Sequence, residues 1–199
     1  MSKRNSHVIA SLRGYIDEHC IARVPVGSRE LPSIDGKGFY RWQFYLRSSL
    51  LKAEHLNAIA SIFWNRYEAS FKESPFQLAG VESASLPIIT ALLIDADRRG
   101  VAINAFSIRK NRKAYGLRNI IEGTPNDLPV VFVDDLVSPL HNAFWHSANV
   151  IRSQKLRFHS FCFVIVMKAP KADAAIISTS VGDVQVDYIF DLDDFDLKP

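Results

Sequence analysis

The feature that most constrains the fold is a short apolar run that ends at two adjacent acids. Val130–Val133 consists of β-branched and aromatic residues, which is typical of a buried strand. Asp134 and Asp135 follow it directly, then a turn that contains Pro139, and then a stretch with helical spacing that starts at Asn142. This order predicts a strand, a loop and a helix N-terminus.

Such an arrangement suits a sugar phosphate. Carboxylates at the carboxyl end of a strand can accept hydrogen bonds from ribose hydroxyls, and the free N–H groups of a helix start can bind a phosphate. The alternative is structural, because an aspartate pair that only caps a strand and begins an Asx turn is common at such joints.

The rest of the chain after Pro75 alternates between strands and helices. The predicted strands are Phe76–Ala79, Ile103–Ile108, Val130–Val133, Phe158–Met167 and Val184–Phe190, and the predicted helices cover residues 85–99 and 142–153. The run up to Met167 is apolar on both faces, which indicates a central strand. The pattern predicts an α/β fold with a largely parallel central sheet of about five strands and helices on both faces.

The N-terminal part has a different pattern. Ser6 can cap a first helix, Phe39–Leu46 reads as an aromatic strand region, and an apolar stripe from Leu56 to Tyr67 predicts a second helix. The length of 199 residues fits one domain. We therefore expect a single domain over residues 1–199, with an N-terminal helix and hood in 1–50 and the core in 51–199.

Charge and composition exclude some classes of protein. The chain is 48% hydrophobic and 23% charged, which is typical of a globular protein, and its net charge of +3 is too small to indicate a nucleic-acid partner. Every charged residue from Arg98 to Arg118 is basic, which fits an anionic ligand or a solvated surface. No apolar run reaches the length of a membrane span, and the start does not resemble a secretory signal, so we expect a cytoplasmic protein.

Three segments, in order, resemble the orotate phosphoribosyltransferases of the type I phosphoribosyltransferase family. The acid-pair segment is Val130–Ser138, and a second segment reads Ile108-Arg-Lys-Asn-Arg-Lys-Ala-Tyr-Gly116 and closes with Ile121-Glu-Gly123. A third, Leu78-Ala-Gly-Val-Glu-Ser-Ala-Ser-Leu-Pro87, is similar to the loop on the pyrophosphate side. The segment Phe44-Tyr-Leu-Arg47 is similar to part of the family's N-terminal hood.

The resemblance implies an activity and a set of site residues. The family transfers ribose 5-phosphate from phosphoribosyl pyrophosphate to a base nitrogen and releases pyrophosphate. It implies substrate binding by Gly80, Glu82, Asp134, Asp135, Ser138 and Asn142, and charge stabilisation by Arg109, Lys110 and the loop residue Lys113. It also implies Mg²⁺ that is carried by the substrate near the two aspartates without direct protein ligands, a small pyrimidine-like base as acceptor, and a homodimer.

The phosphate loop departs from the family pattern. The family has a Thr/Gly-rich loop there, whereas this chain has Ser138, Pro139, Leu140 and His141. Proline has no N–H to donate to a phosphate, and leucine carries a Cβ where glycine is expected. Three hypotheses remain open: an active orotate-type enzyme, a relative that uses another acceptor or a nucleotide, and a catalytically weak or silent sugar-phosphate-binding or regulatory module.

Overall fold

The computed structural model of the chain describes residues 3–32, 39–111, 119–138, 142–170, 176–179 and 182–198. The helices are α1 (Lys3–His19), α2 (Arg47–Leu50), α3 (Ala53–Glu73), α4 (Ser85–Arg98) and α5 (Asn142–Ser153). The strands are β1 (Ile21–Arg23), β2 (Leu31–Pro32), β3 (Phe39–Tyr40), β4 (Trp42–Phe44), β5 (Gln77–Val81), β6 (Ala105–Ile108), β7 (Ile121–Glu122), β8 (Val130–Val137), β9 (Phe158–Met167), β10 (Ile176–Thr179) and β11 (Gly182–Phe190).

A seven-stranded sheet in the order β10-β11-β9-β8-β5-β6-β7 forms the centre of the molecule. Its five inner strands are parallel, and the edge strands β7 and β10 are antiparallel to their neighbours. This confirms the predicted α/β class and the central place of the strand that starts at Val130. The edge strands β7 and β10 were not predicted from the sequence, and they are only two and four residues long.

Helices cover both faces of the sheet, as expected. On one face, α3 and α4 pack on side chains such as Val131, Val133 and Phe163, and α1 packs on α3. The α3 helix contributes the fully buried pair Phe63 and Trp64. On the other face, α5 packs on a second cluster, which includes Phe132 and Val164. The aromatic side chains of α3 are therefore part of the core, where their burial removes a large apolar area from water.

The N-terminal strands form a small hood over the carboxyl ends of β8 and β9. In this hood β1 pairs with β4, and β2 pairs with β3. The chain end holds it in place: the Trp42 indole donates a hydrogen bond to the Lys198 carbonyl at 2.8 Å, and the Phe44 ring packs edge-on against Phe195. None of the described helices is both long enough and apolar enough to span a membrane.

Several predicted boundaries differ from the observed ones: α1 begins at Lys3, so Ser6 lies inside it and does not cap it, and β5, β6 and β11 begin one or two residues from the predicted positions. The difference that matters for the site is in β8. The acid pair was expected to follow a strand that ends at Val133, but β8 continues through Asp134 and Asp135 to Val137. The reason is the neighbour β9, which pairs with β8 as far as Val137 and Met167. On its other side β8 pairs with β5 only from Val130 to Phe132. Asp134 and Asp135 therefore lie within the pairing of β8 with β9, and just beyond the end of the pairing of β8 with β5.

Candidate functional site

The acid pair lies at the point where the order of the sheet reverses. From β5 the chain passes through α4 on one face to β6, and from β8 it passes through α5 on the other face to β9. The strands β5 and β8 are neighbours, but their pairing ends at Ala79 and Phe132. In open α/β sheets, ligands bind in the crevice that forms at the carboxyl ends of the strands at such a switch point. Asp134 and Asp135 are beside this crevice.

The two carboxyl groups are in unequal environments. Asp134 is buried, with 6% of its surface exposed, and one of its oxygens accepts a hydrogen bond from the Asp135 backbone N–H at 2.9 Å. Burial raises the pKa of Asp134 well above its ordinary 3.8, and the negative charge of Asp135 raises it further. Burial also raises the pKa of Asp135. Holding two acids close together in a buried position costs free energy. Such a pair can bind hydroxyl groups or a cation.

Two basic residues lie near this pair and partly offset its charge. The positive charge of Lys110 acts on Asp134, and that of Arg47 acts on Asp135; each lowers the pKa against the larger effect of burial. Lys110 is exposed and is the second residue after β6, whereas Arg47 begins α2. Lys110 was a predicted site residue. Arg47 was not, although it stands in the hood segment that resembled the family.

Gly80 brings β5 and β8 together at the base of the crevice. A Cβ atom at this position would lie 2.4 Å from the Val133 carbonyl oxygen and 2.4 Å from the Cβ of Ser85, which is the first residue of α4. The Ser85 hydroxyl in turn donates a hydrogen bond to the Val81 carbonyl at 2.7 Å. Only glycine fits between these groups, so Gly80 sets the close approach of strand, strand and helix.

Arg109 is held by two carboxylates on the β6 side of the crevice. Its Nη1 donates a hydrogen bond to Glu82 Oε2 at 3.1 Å, and its Nε lies 3.4 Å from Glu122 Oε1. The Arg109 carbonyl accepts a hydrogen bond from His146 Nε2 of α5 at 3.0 Å. Glu82 and Arg109, two predicted site residues, are thus brought together, and Glu122 joins them. Glu122 was not a predicted site residue.

The structure describes the remaining predicted site residues only in part. Ser138 follows β8 directly and is half-buried, and Asn142 is the first residue of α5. The Asn142 side chain, Lys113 and the loop residues Pro139, Leu140 and His141 lie outside the described residues. Their roles stay predictions.

The hood contributes an aromatic wall near the same strand ends. Lys168 follows β9, and its Nζ lies 4.0 Å from the centre of the Tyr40 ring and 5.1 Å from that of the Trp42 ring. Leu136 of β8 lines the same small cavity, which has a volume of about 30 Å³. A second cavity of about 220 Å³ lies beside the loop after β5, where Arg47, Leu51 and Pro87 are among its lining residues. Within the described part of the chain, no cluster of three metal-ligating side chains occurs.

Neither a protein-family model nor a curated protein matches the chain. Solved structures do match over most of its length. An orotate phosphoribosyltransferase from Aeropyrum pernix superposes with a TM-score of 0.67 at 19% identity, over 94% of this chain and 95% of that one. A phosphoribosyltransferase from Corynebacterium diphtheriae does so with a TM-score of 0.66 at 18% identity, over 96% and 99%.

A third structure is the Mycobacterium tuberculosis orotate phosphoribosyltransferase in complex with phosphoribosyl pyrophosphate. It superposes with a TM-score of 0.58 at 17% identity, over 96% of this chain and 99% of that one. The sequence resemblance is thus confirmed at the level of the fold. This chain has the fold of the orotate phosphoribosyltransferases.

Proposed function

We propose that this protein binds the ribose 5-phosphate part of phosphoribosyl pyrophosphate at Asp134 and Asp135 and transfers it to a pyrimidine-like base. The observation that carries this proposal is the position of the acid pair beside the crevice between β5 and β8. A protein of the same fold has been solved with phosphoribosyl pyrophosphate bound. The charges and the topology favour the same class of ligand here.

The reaction would exchange one bond at the anomeric carbon of ribose for another. The bond from this carbon to a pyrophosphate oxygen breaks, its electron pair leaves with pyrophosphate, and a base nitrogen forms the new bond. Asp134 and Asp135 would orient the ribose by accepting its hydroxyl hydrogen bonds. Lys110, Arg109 and the loop residue Lys113 would stabilise the negative charge that develops on pyrophosphate, an electrostatic effect that is often the largest part of catalysis.

Mg²⁺ fits this site as a companion of the substrate. The two aspartates offer carboxylate oxygens, which this ion prefers, and the ion usually keeps most of its ligands as water and phosphate oxygens. It would neutralise part of the pyrophosphate charge when bound. Asp134 and Asp135 would then hold ribose hydroxyls close to the ion.

The acceptor base would bind between the hood and the carboxyl ends of β8 and β9. Tyr40 and Trp42 offer aromatic faces there, and Lys168 offers a positive charge to an acidic base such as orotate. Because the cavity between them holds only about 30 Å³, Lys168 must move off the rings before a base can enter. The proposal includes a homodimer, in which the basic loop with Lys113 reaches the neighbouring subunit's site.

A second candidate is a weak or silent sugar-phosphate-binding module of the same fold. Two observations favour it: Pro139 and Leu140 replace residues of the family's phosphate loop, and Arg109 is already paired with Glu82. Loss of one hydrogen bond to a charged group costs about 1.5–3 kcal/mol. A phosphate loop that lacks one or two donors would therefore bind phosphoribosyl pyrophosphate more weakly, by roughly 10-fold to roughly 20,000-fold.

One experiment separates these candidates. The protein is incubated with phosphoribosyl pyrophosphate, Mg²⁺ and a panel of bases, and pyrophosphate release is measured. Release with one base establishes the transferase. Binding of ribose 5-phosphate in calorimetry without release establishes the silent module.

A double variant tests the site itself. Asp134→Asn with Asp135→Asn should abolish the binding of ribose 5-phosphate. The matched control is Asp193→Asn with Asp194→Asn, which changes the adjacent pair near the chain end and should leave binding intact. Equal binding heats from the folded site variant and the wild type would refute the proposed site.

A further inference from the structure

The ion cluster around Arg109 lies on the side of the crevice where the proposed function places pyrophosphate. Its three side chains come from three adjacent positions of the sheet. Glu82 follows β5, and its N–H donates to the Ile108 carbonyl at 2.9 Å. Arg109 follows β6, and its N–H donates to the Ile120 carbonyl at 2.9 Å. Glu122 belongs to β7 and pairs with Ser107. The backbone ladder therefore fixes the pairing of these charges.

Arg109 is hydrogen-bonded to only one of its two carboxylate neighbours. Arg109 Nη1 is hydrogen-bonded to Glu82 at 3.1 Å, but the buried Nε, although 3.4 Å from Glu122 Oε1, makes no hydrogen bond within the described part of the chain. A guanidinium group can present two parallel donors to one carboxylate or phosphate. Here Glu82 uses one of its nitrogens, and another remains unsatisfied. Because this Nε is buried, an external anion can reach the guanidinium only at its terminal nitrogens, where Glu82 already binds.

Glu82 and Glu122 place two negative charges directly beside the one guanidinium of Arg109, and Lys110 is the next basic residue along the chain. The Glu82 side chain is 33% exposed and that of Arg109 is 19% exposed, so solvent screens their charges incompletely. A pyrophosphate that approaches Arg109 must displace Glu82 or accept its repulsion. A single phosphate on the other side of the ribose, near the start of α5, avoids this conflict.

We propose that Glu82 acts as an internal anion that competes with pyrophosphate for Arg109, and that the resting site therefore selects ribose monophosphates over ribose diphosphates. This inference rests on the proposed ribose site at Asp134 and Asp135. The preferred ligands are ribose 5-phosphate and nucleoside 5′-monophosphates. Glu82 is a specificity-determining residue, and its removal uncovers the Arg109 guanidinium for a second anion.

The test compares two anions on three isosteric variants. Glu82→Gln removes one charge and keeps the shape of the side chain, and Glu122→Gln does the same on the other side of Arg109. The matched control is Glu68→Gln, because Glu68 pairs with Arg99 at 3.0 Å on a different part of the molecule. Calorimetry at one ionic strength measures the affinity for inorganic pyrophosphate and, separately, for ribose 5-phosphate. Thermal unfolding verifies that each variant is folded.

Glu82→Gln should bind pyrophosphate at least about tenfold more tightly than the wild type, because close charge pairs couple strongly at interfaces. Glu122→Gln should bind it about threefold more tightly, since its carboxylate is not hydrogen-bonded to Nε. Both should bind ribose 5-phosphate within about twofold of the wild type, and Glu68→Gln should change neither affinity.

Unchanged, weaker or undetectable pyrophosphate binding by folded Glu82→Gln overturns the inference. If this variant does not fold, Glu82→Ala, which also removes the carboxylate from a side chain that is 33% exposed, decides in the same way. The ribose 5-phosphate measurement keeps the two ideas apart. Failure of the wild type to bind ribose 5-phosphate overturns the proposed function, whereas the pyrophosphate comparison decides the role of Glu82.

Discussion

Two arginines in this protein each lie between two carboxylates, and they differ in how completely they are bonded. Arg99, near the ends of α3 and α4, donates from Nε to Asp95 at 2.8 Å and from Nη1 to Glu68 at 3.0 Å. Arg109, at the crevice, is hydrogen-bonded to Glu82 and has an Nε without a hydrogen bond in the described structure. Similar residue types thus form a satisfied cluster in one region and an incomplete one in the other.

The aspartates show the same contrast. Asp187 of β11 accepts hydrogen bonds from the Arg66 guanidinium, at 2.8 Å, and from the Tyr67 hydroxyl. Asp134 is buried beside a second acid, and its pKa is raised by that burial and by the charge of Asp135. Buried polar groups that lack full compensation reduce stability, and they are retained mainly where function needs them. The difference favours the crevice as the candidate site and a structural role for the Arg99 and Asp187 clusters.

The largest expected effect is the loss of catalytic efficiency when Arg109 is removed, compared with the removal of Arg99. If the protein turns over, Arg109→Ala should lower kcat/KM at least about 100-fold, or about 2.7 kcal/mol, because Glu82 and Glu122 then face the developing pyrophosphate charge uncompensated. Arg99→Ala should leave kcat/KM within about twofold. The measurement is the rate of pyrophosphate release at several substrate concentrations. Equal losses in both variants would break the distinction between the two clusters.

The aspartates offer the second test, on stability. Asp187→Asn should lower the free energy of unfolding by about 1.5–3 kcal/mol, because the bonds from Arg66 and Tyr67 lose their charged acceptor. Urea denaturation at neutral pH measures this, with Asp97→Asn on the exposed side of α4 as the control. A loss no larger than that of the control would show that the Asp187 cluster is not structural.

The sequence predicted the fold better than the site, for physical reasons. Apolar runs such as Val130–Val133 and Phe158–Met167 report local burial, so the central strands could be read directly. The end of β8 could not, because it depends on pairing with β9, which is distant in the chain. The partners of Arg109 were equally hidden: Glu82 and Glu122 are separated by forty residues in sequence and meet only because β5, β6 and β7 are adjacent.

Substitution of two glycines, one at the crevice and one in α1, compares how tightly the backbone is packed in the two regions. Gly80→Ala should lower the free energy of unfolding by about 1–3 kcal/mol, because its Cβ would collide with the Val133 carbonyl and Ser85. Gly14→Ala, in the middle of α1 with no atom beyond the neighbouring helix backbone within 4 Å of the added Cβ, should instead raise the free energy of unfolding by about 0.5–1 kcal/mol. Thermal or urea unfolding of both variants measures the difference. Two changes of the same sign would show that Gly80 is not under a packing constraint.

The smallest expected effect is a gain in stability from a substitution at the candidate site. The pKa of Asp134 is raised in the folded protein. Above the ordinary pKa of 3.8, the unfolded chain therefore releases the proton of this carboxyl group, whereas the folded protein still holds it. The free energy of unfolding should therefore fall as pH rises from about 3.8 through the raised pKa. Asp134→Asn lacks this titration and keeps an oxygen for the Asp135 N–H, so at neutral pH it should be more stable by on the order of 1 kcal/mol.

Urea denaturation of wild type and Asp134→Asn from pH 3.5 to pH 8 measures this difference. The two proteins should be nearly equal at the acidic end, and the advantage of the variant should grow with pH until Asp134 is fully ionised. The variant should also bind ribose 5-phosphate more weakly, because stability gained at a binding site usually costs function. A variant that is less stable than the wild type at neutral pH would mean that the Asp134 carboxylate stabilises the fold, and the contrast with Asp187 would no longer hold.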